Sequence, residues 1–255
     1  MNNTGKIGIF DSGIGGVTVL KEILKVMPNE DYLYLSDSKN NPYGDKNSSE
    51  IISICESNVK YLMNNDCKII VVACNTASAI AIESLRKEFS NIKFIGIEPA
   101  YKMVHDYDPE GETLIMATKG TIESEKFNVL YNRYNNHKTY VMPCTGLADI
   151  IEEGDNEKIK QYLNKSLEEY KGKVKNVVLG CTHYPLIKKE ISDVLEDVNF
   201  YEGSSMVAKY LKQVLNGENL LNNIGTSKIE FIDTSKSKEK EKRFYEILNM
   251  SKNEF

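Results

Sequence analysis

Two segments of the chain place a cysteine where an apolar run gives way to small polar residues. The first is Ala73-Cys74-Asn75-Thr76-Ala77-Ser78, after the run KIIVVA at 68–73. The second is Gly180-Cys181-Thr182-His183-Tyr184-Pro185, after NVVLG at 176–180. Ligands of open α/β sheets bind at the carboxyl ends of such strands. A helix beginning there is expected to lower a thiol's pKa from about 8.5 toward neutrality by stabilising the thiolate. The neighbouring amide and hydroxyl groups offer donors for a carboxylate. Two thiols facing one another across a cleft suit one kind of chemistry. A carbon acid held between them loses its proton to one sulfur and gains one from the other on its opposite face. Stereochemical inversion follows, and it needs no cofactor and no metal.

Each thiol then needs an acid or base beside it. Asp11 stands in a third strand-end segment, Asp11-Ser12-Gly13-Ile14-Gly15-Gly16, after KIGIF at 6–10. Its glycines would let the turn approach a ligand closely, and the helix beyond would present free N–H groups to an anion. The segment is neither the GxGxxG dinucleotide pattern nor a P-loop, because no Gly-Lys-Ser/Thr follows; an Asp-Ser turn that caps a helix explains it equally well. For the second thiol the candidates are Glu152, Glu153 and His183, the last two residues from Cys181. Each has a plainer reading, His183 as a helix-capping hydrogen bonder and the glutamates as a solvated pair before a glycine turn. Tyr43 and Gly44, in the sequence NPYG, read as a turn. Cys55, Cys67 and Cys144 read as small buried hydrophobes.

Composition narrows the setting. The 255 residues fall between one large domain and two modest ones, with 41% apolar and 27% charged residues, ordinary values for a globular chain. The net charge of −5 (32 − 37) comes without a basic footprint, which argues against a nucleic-acid partner. Only Arg86, Arg133 and Arg243 are arginines, so a carboxylate substrate would be held by backbone N–H groups and Ser, Thr and Asn side chains. Five cysteines without a CxxC pair, and three histidines without ligand spacing, favour neither a disulfide framework nor zinc. Apolar stretches are too short to span a bilayer, and the start MNNTGKIGIFDSG lacks the regions of a signal peptide. The reading is a soluble cytoplasmic protein acting on a small molecule, away from membranes, with a homodimer left open.

Strand-like runs alternate with helix-length amphipathic stretches, which gives an α/β fold with parallel sheets. Strands are expected at 6–10, 32–35, 68–73 and 93–97, with helices at 17–27, 49–64 and 77–89. The second half repeats the pattern at one offset. The run TLIMA at 113–117 leads into a Thr/Gly turn as KIGIF does, TYVM at 139–142 lies 107 residues after YLYL at 32–35, and Cys181 lies 107 after Cys74 (181 − 74). Two pseudo-symmetric α/β domains are therefore expected, with the active site in the cleft between them; one large evenly spaced sheet is the alternative. The C-terminal stretch, with helices at 205–215 and 236–250 and a strand at 228–233, fits no third repeat. It is expected to return to the first half, giving domains of 1–97 with 206–255, and 98–205. The mixed run KSKEKEKR at 236–243 reads as a solvated helix start.

At these residues the sequence resembles the glutamate racemase family of the cofactor-independent Asp/Glu racemases. The matching segments are IGIFDSGIGGVTVLKEI (7–23), NPYG (41–44), VVACNTASA (71–79) and LGCTHYPLI (179–187), in order along most of the chain. The resemblance implies catalytic thiols at Cys74, acting on D-glutamate, and Cys181, acting on L-glutamate. It implies assistance from Asp11 to the first and from Glu152 and His183 to the second. It places substrate contacts at Asp11 with Ser12, Tyr43 with Gly44, Asn75 with Thr76, and Thr182 with His183, and it implies D-glutamate for peptidoglycan synthesis. The segments YLSDSKNNPYG and PCTGLADIIEEG depart from the family pattern near the expected substrate side chain, with Ala148 and Asp149 where the family has Val-Pro. A racemase of aspartate with the same thiols is the neighbouring reading. A non-catalytic binding module would be expected to lack a thiol, and a Cys–His hydrolase built on Cys181 and His183 leaves Cys74 without a role.

Overall fold

The computed structural model describes residues 3–250; the ends of the expected first domain, 1–2 and 251–255, lie outside the described residues. Nine strands form among the described residues: β1 (Lys6–Asp11), β2 (Tyr32–Ser36), β3 (Cys67–Val72), β4 (Lys93–Gly96), β5 (Thr113–Ala117), β6 (Thr139–Pro143), β7 (Asn176–Gly180), β8 (Asn199–Tyr201) and β9 (Ile229–Asp233). They make two sheets, in the orders β4-β3-β1-β2-β9 and β6-β5-β7-β8, and every pairing is parallel. Shifting the first four strands by 106 to 109 residues gives the second sheet: β5 begins 107 after β1 (113 − 6), β6 107 after β2 (139 − 32), β7 109 after β3 (176 − 67) and β8 106 after β4 (199 − 93). The order 4-3-1-2 becomes 8-7-5-6, so the halves share their topology and the single-sheet alternative falls. The short strand β8, which the sequence reading missed, is the counterpart of β4. It escaped notice because Asn199–Tyr201 offers one half-buried turn of alternation and no apolar run.

Strict alternation sends successive strand residues to opposite faces. In the first sheet Ile7, Ile9, Tyr32, Tyr34, Ile69 and Val71 join a core with Val17, Leu20 and Ile23 of the first helix, Val17–Val26. Phe10, Leu33, Leu35, Ile70 and Val72 point the other way, onto Ile51, Cys55, Val59 and Leu62 of helix Ser48–Met63. Both faces are covered, hence the nearly unbroken apolar runs. Each aliphatic side chain so buried contributes about 1.5–3 kcal/mol relative to exposure. The second sheet is divided likewise, with Leu114, Met116, Val177 and Leu179 on one face and Ile115 and Val178 on the other.

The C-terminal stretch does return to the first sheet. Strand β9 pairs in parallel with β2, helix Ser204–Gly217 lays Val207, Leu211 and Leu215 into the core beside the first helix, and the final helix, Lys238–Asn249, adds Phe244 and Ile247. Phe244 stacks on Phe231 of β9 at 4.3 Å and tilts against Tyr34 of β2 at 4.8 Å. The helix expected over 77–89 is two helices, Asn75–Ile80 and Ile82–Glu88, with the break at Ala81. Among the described residues no helix is long and apolar enough to cross a membrane.

Candidate active site

The carboxyl ends of the two sheets face one cleft. Ser12, Tyr43, Gly44, Cys74, Asn75 and Thr76 line it from the first lobe, and Cys181, Thr182 and His183 from the second. Nearly all the residues singled out in the sequence are thus in one place. Asp11 and Glu152 stand just behind the lining, both deeply buried.

Cys74 caps helix Asn75–Ile80, its sulfur accepting from the Ala77 N–H at 3.5 Å, and its thiol lies 3.8 Å from the Ser12 hydroxyl oxygen. The helix terminus does not lower this thiol, contrary to the expectation from sequence. Burial, reinforced by the negative charge of Asp11, pushes Cys74 up to about 12 against the opposing pull of the Ala77 N–H. A helix of six residues has a weak terminus, and removing a thiolate from water costs more than one N–H returns. Asp11 is itself pushed up to about 6 by burial, although His183 and the N–H groups of Gly13 and Gly16 favour its charge. Those two N–H groups donate to Asp11 Oδ2 at 3.2 Å each, so the glycine turn gives its donors to Asp11 and does not hold them free for an anion.

The second thiol has a different surrounding. Cys181 lies in a bend directly after β7 and not at a helix start; the 3-10 turn Tyr184–Ile187 begins three residues later. His183 makes no side-chain cap bond to that turn, so its capping role fails. Its Nδ1 lies 3.6 Å from Cys181 Sγ, and its Nε2 is 2.8 Å from Glu152 Oε2. Burial opposes a charge on His183, but contact with Cys181 and Glu152 outweighs it and holds the ring protonated well above its ordinary range. Burial likewise opposes the Glu152 carboxylate, and His183 and Lys240 together bring it down to about 2. Glu153 points elsewhere, to Lys158 at 3.2 Å in solvent. Of the two glutamates, Glu152 belongs to the site.

Several contacts cross the cleft. The Thr182 hydroxyl donates to Asp11 Oδ1 at 3.2 Å, the Thr18 hydroxyl donates to the Thr182 carbonyl at 3.1 Å, and Asn41 Nδ2 donates to Asp149 Oδ1 at 2.7 Å. The hydroxyls of Thr76, Thr118 and Thr121 form a triangle with sides of 2.8, 2.9 and 3.3 Å. Gly13 and Gly15 are needed at the seam itself. A Cβ on Gly13 would lie 2.1 Å from Glu152 Oε2, and one on Gly15 would lie 2.6 Å from His183 Nδ1. At these two positions the other lobe's acid–histidine pair leaves no room for a side chain, whereas Gly16 is crowded by Tyr34, Asp11 and Ala73 of its own lobe.

Sequence reasoning missed Asp37, Thr118, Thr121 and Lys240. Asp37 is fully buried and accepts from the Tyr43 hydroxyl at 2.5 Å, from Asn58 at 3.2 Å and from Thr234 at 2.9 Å. The Tyr43 hydroxyl is therefore engaged inside the first lobe, where it anchors the NPYG loop over the cleft. Cys144, read as purely structural, also reaches the cleft lining, although its side chain is buried. Asn75 Oδ1, by contrast, is a buried acceptor without a hydrogen-bond partner, in the wall of the cleft. Such an atom is uncommon in a folded protein and fits a donor supplied by a ligand. Among the described residues no group of three or more His, Cys, Asp or Glu side chains could hold a metal ion.

The Asp/Glu/Hydantoin racemase family model matches residues 29–211, well over half of the chain. The chain belongs to that family. It is accordingly an enzyme, an isomerase of the racemase class. Similar curated racemases include the glutamate racemase of Clostridium perfringens, 42% identical over 219 residues (84% of both chains), and that of Clostridium kluyveri, 45% identical over 214 residues (82% of this chain, 83% of the relative). Among solved racemases, that of Francisella tularensis in complex with D-glutamate superposes with a TM-score of 0.83 at 29% identity, covering 98% of this chain and 95% of the other. A glutamate racemase isoform from Bacillus anthracis gives a TM-score of 0.84 at 30% identity, covering 97% and 95%.

Proposed function

We propose that this racemase interconverts L- and D-glutamate with two thiols and no cofactor. The observation that carries the reading is that Cys74 and Cys181, from equivalent strand ends of two like sheets, line the same cleft in opposite electrostatic surroundings. Cys74, with its proton held by burial and by Asp11, serves as the acid, and negative charge on the Cys181 sulfur is met by the His183 imidazolium. With L-glutamate bound, the α C–H bond breaks as the proton passes to Cys181. The Cys74 S–H bond breaks as its proton passes to the opposite face of the carbon. The product is D-glutamate, and the two thiols have exchanged protonation states. The reverse direction uses Cys74 as base, with Asp11 as its assisting acid–base group and Glu152 with His183 on the other side.

Ser12, Asn75, Thr76 and Thr182 supply the polar groups for the substrate, with Tyr43 and Gly44 shaping the rim. The unpartnered Asn75 Oδ1 suits an ammonium donor. The choice of glutamate rests on the relatives, which are named for that substrate. Supply of D-glutamate to peptidoglycan synthesis, a cytoplasmic location, and a domain division of 1–97 with 206–255 and 98–205 belong to the same reading. Incubation with L-glutamate in D2O without added cofactor should bring the circular dichroism signal to zero and replace the α-proton by deuterium. Parallel samples with aspartate should keep their optical signal. Silence with glutamate together with racemisation of aspartate would reject the substrate assignment.

The Asp11 value sets a pH dependence. Its carboxyl is raised from 3.8 to about 6, so it is charged at neutral pH and becomes neutral as pH falls through about 6. Neutral Asp11 cannot take up a proton from the Cys74 side. The kcat/KM for D-glutamate should therefore fall about tenfold per unit below that pH. Asp11→Asn should lower the neutral-pH value about 100-fold and remove this acid limb. A limb unchanged in the asparagine variant would assign it to another group.

A further inference from the structure

The final helix carries a cation into the site from a run that reads as solvent-facing. Lys240 Nζ lies 2.7 Å from Glu152 Oε1, while the other oxygen of the same carboxylate, Oε2, is held by His183 at 2.8 Å. Glu152 is 4% exposed and Lys240 29%, whereas Lys242, two residues further on, is 80% exposed. Positions 240, 244 and 247 lie on one face of the helix, and Phe244 and Ile247 are bedded in the core of the first lobe. Lys21, on the first helix, fixes the end of the final helix by donating to the carbonyls of Ile247 at 2.9 Å and Met250 at 2.5 Å. Lys240 thus stands on the first lobe and grips a carboxylate of the second.

We propose that Lys240 is a positioning residue for Cys181: its ammonium fixes the Glu152 carboxylate against His183, and His183 in turn is held at the Cys181 sulfur. The proposal rests on the two-thiol reading. A buried carboxylate with one oxygen left unpartnered turns toward water or takes a proton, and either change releases the imidazole nitrogen it had fixed. Among the described residues the Cys74 side has no counterpart. Asp11 is held by the Gly13 and Gly16 N–H groups and the Thr182 hydroxyl, all neutral donors. The contacts of Lys240 therefore lead to Cys181 and not to Cys74, whose Asp11 feels His183 and Glu152 only through charge. Loss of Lys240 should slow the Cys181 proton transfer more than the other.

Primary isotope effects separate the two transfers. Lys240→Met should lower kcat about 10- to 100-fold, as a misplaced catalytic group does, with KM changed less than about twofold. The isotope effect on kcat/KM should rise with α-deuterated L-glutamate, whose C–D bond is broken by Cys181, and fall with α-deuterated D-glutamate. Lys240→Arg should recover activity to within about threefold of the wild type. Lys240→Gln carries the same test should the methionine variant not fold. Wild-type kcat in the methionine or glutamine variant, a loss without change in the balance of isotope effects, or a shift of that balance in the opposite sense would each overturn the proposal. Failure of the two-thiol reading shows separately, as racemisation that persists in a Cys74 or Cys181 variant while Lys240 is intact.

Discussion

Replacing either Cys74 or Cys181 by alanine should lower racemisation on the order of 1,000-fold or more, and by the same factor in both directions. The equality follows from chemistry, since enantiomers have equal free energy in water. The ratio of kcat/KM for L- and D-glutamate is therefore fixed at one for any variant. A thiol that serves only one direction as base still serves the other as acid, so neither loss is one-sided in net rate. The one-sidedness appears in exchange. Cys74→Ala keeps the Cys181 relay with His183 and Glu152, and in D2O it should exchange the α-proton of L-glutamate with retention while leaving D-glutamate untouched. Cys181→Ala should do the converse, more slowly, because the remaining thiol is held up to about 12 beside Asp11. Proton NMR of the α position with circular dichroism reads both quantities. Sustained racemisation by either variant would remove the two-thiol mechanism. Serine at either position should not restore activity, because a hydroxyl is a far weaker acid than a thiol.

The fold was legible in the sequence wherever local pattern decides it. Both-face burial makes strands such as β1, β3 and β7 into apolar runs, and the shared offset exposed the repeat from the residues alone. The two cysteines were legible because a strand end is a local feature. What lay hidden depends on contacts distant in the chain. Lys240 and Glu152 are 88 residues apart and Thr182 and Asp11 are 171 apart, and no periodicity encodes either pair. The electrostatics of Cys74 were read with the wrong sign for a related reason: the helix start is local and visible, but the burial and the Asp11 charge that overrule it are set by packing. Lys240 was masked twice over, since one lysine in a mixed-charge run looks like its neighbours until the helix is seen to turn that position inward.

Gly15→Ala should lower kcat/KM about 100-fold although residue 15 need touch no substrate atom. The new Cβ would sit 2.6–2.7 Å from Nδ1, Cε1 and Cγ of His183. The far end of a flexible side chain could step aside at such a distance, but this ring is buried and tied through Nε2 to Glu152, which Lys240 holds from beyond. Overpacking of this kind costs about 1–3 kcal/mol. Two movements relieve it. If the ring swings away, Cys181 loses its partner and kcat falls. If the lobes part, the contacts from Thr182 to Asp11 and from Thr18 to Thr182 lengthen, and KM rises with the loss of a closed cleft. Gly217→Ala is the matched control, because its added methyl meets nothing within 4 Å, and it should leave the kinetics unchanged. Steady-state kinetics and thermal melts of the two variants separate the effects, and wild-type kinetics for Gly15→Ala would mean that His183 is not fixed where catalysis needs it. At Gly13 and Gly15 the turn thus answers to the opposite lobe. Its lack of side chains lets an acid–histidine pair from the second half close onto Asp11 of the first, which is why two compact halves, each with one thiol, can complete a single site at their seam.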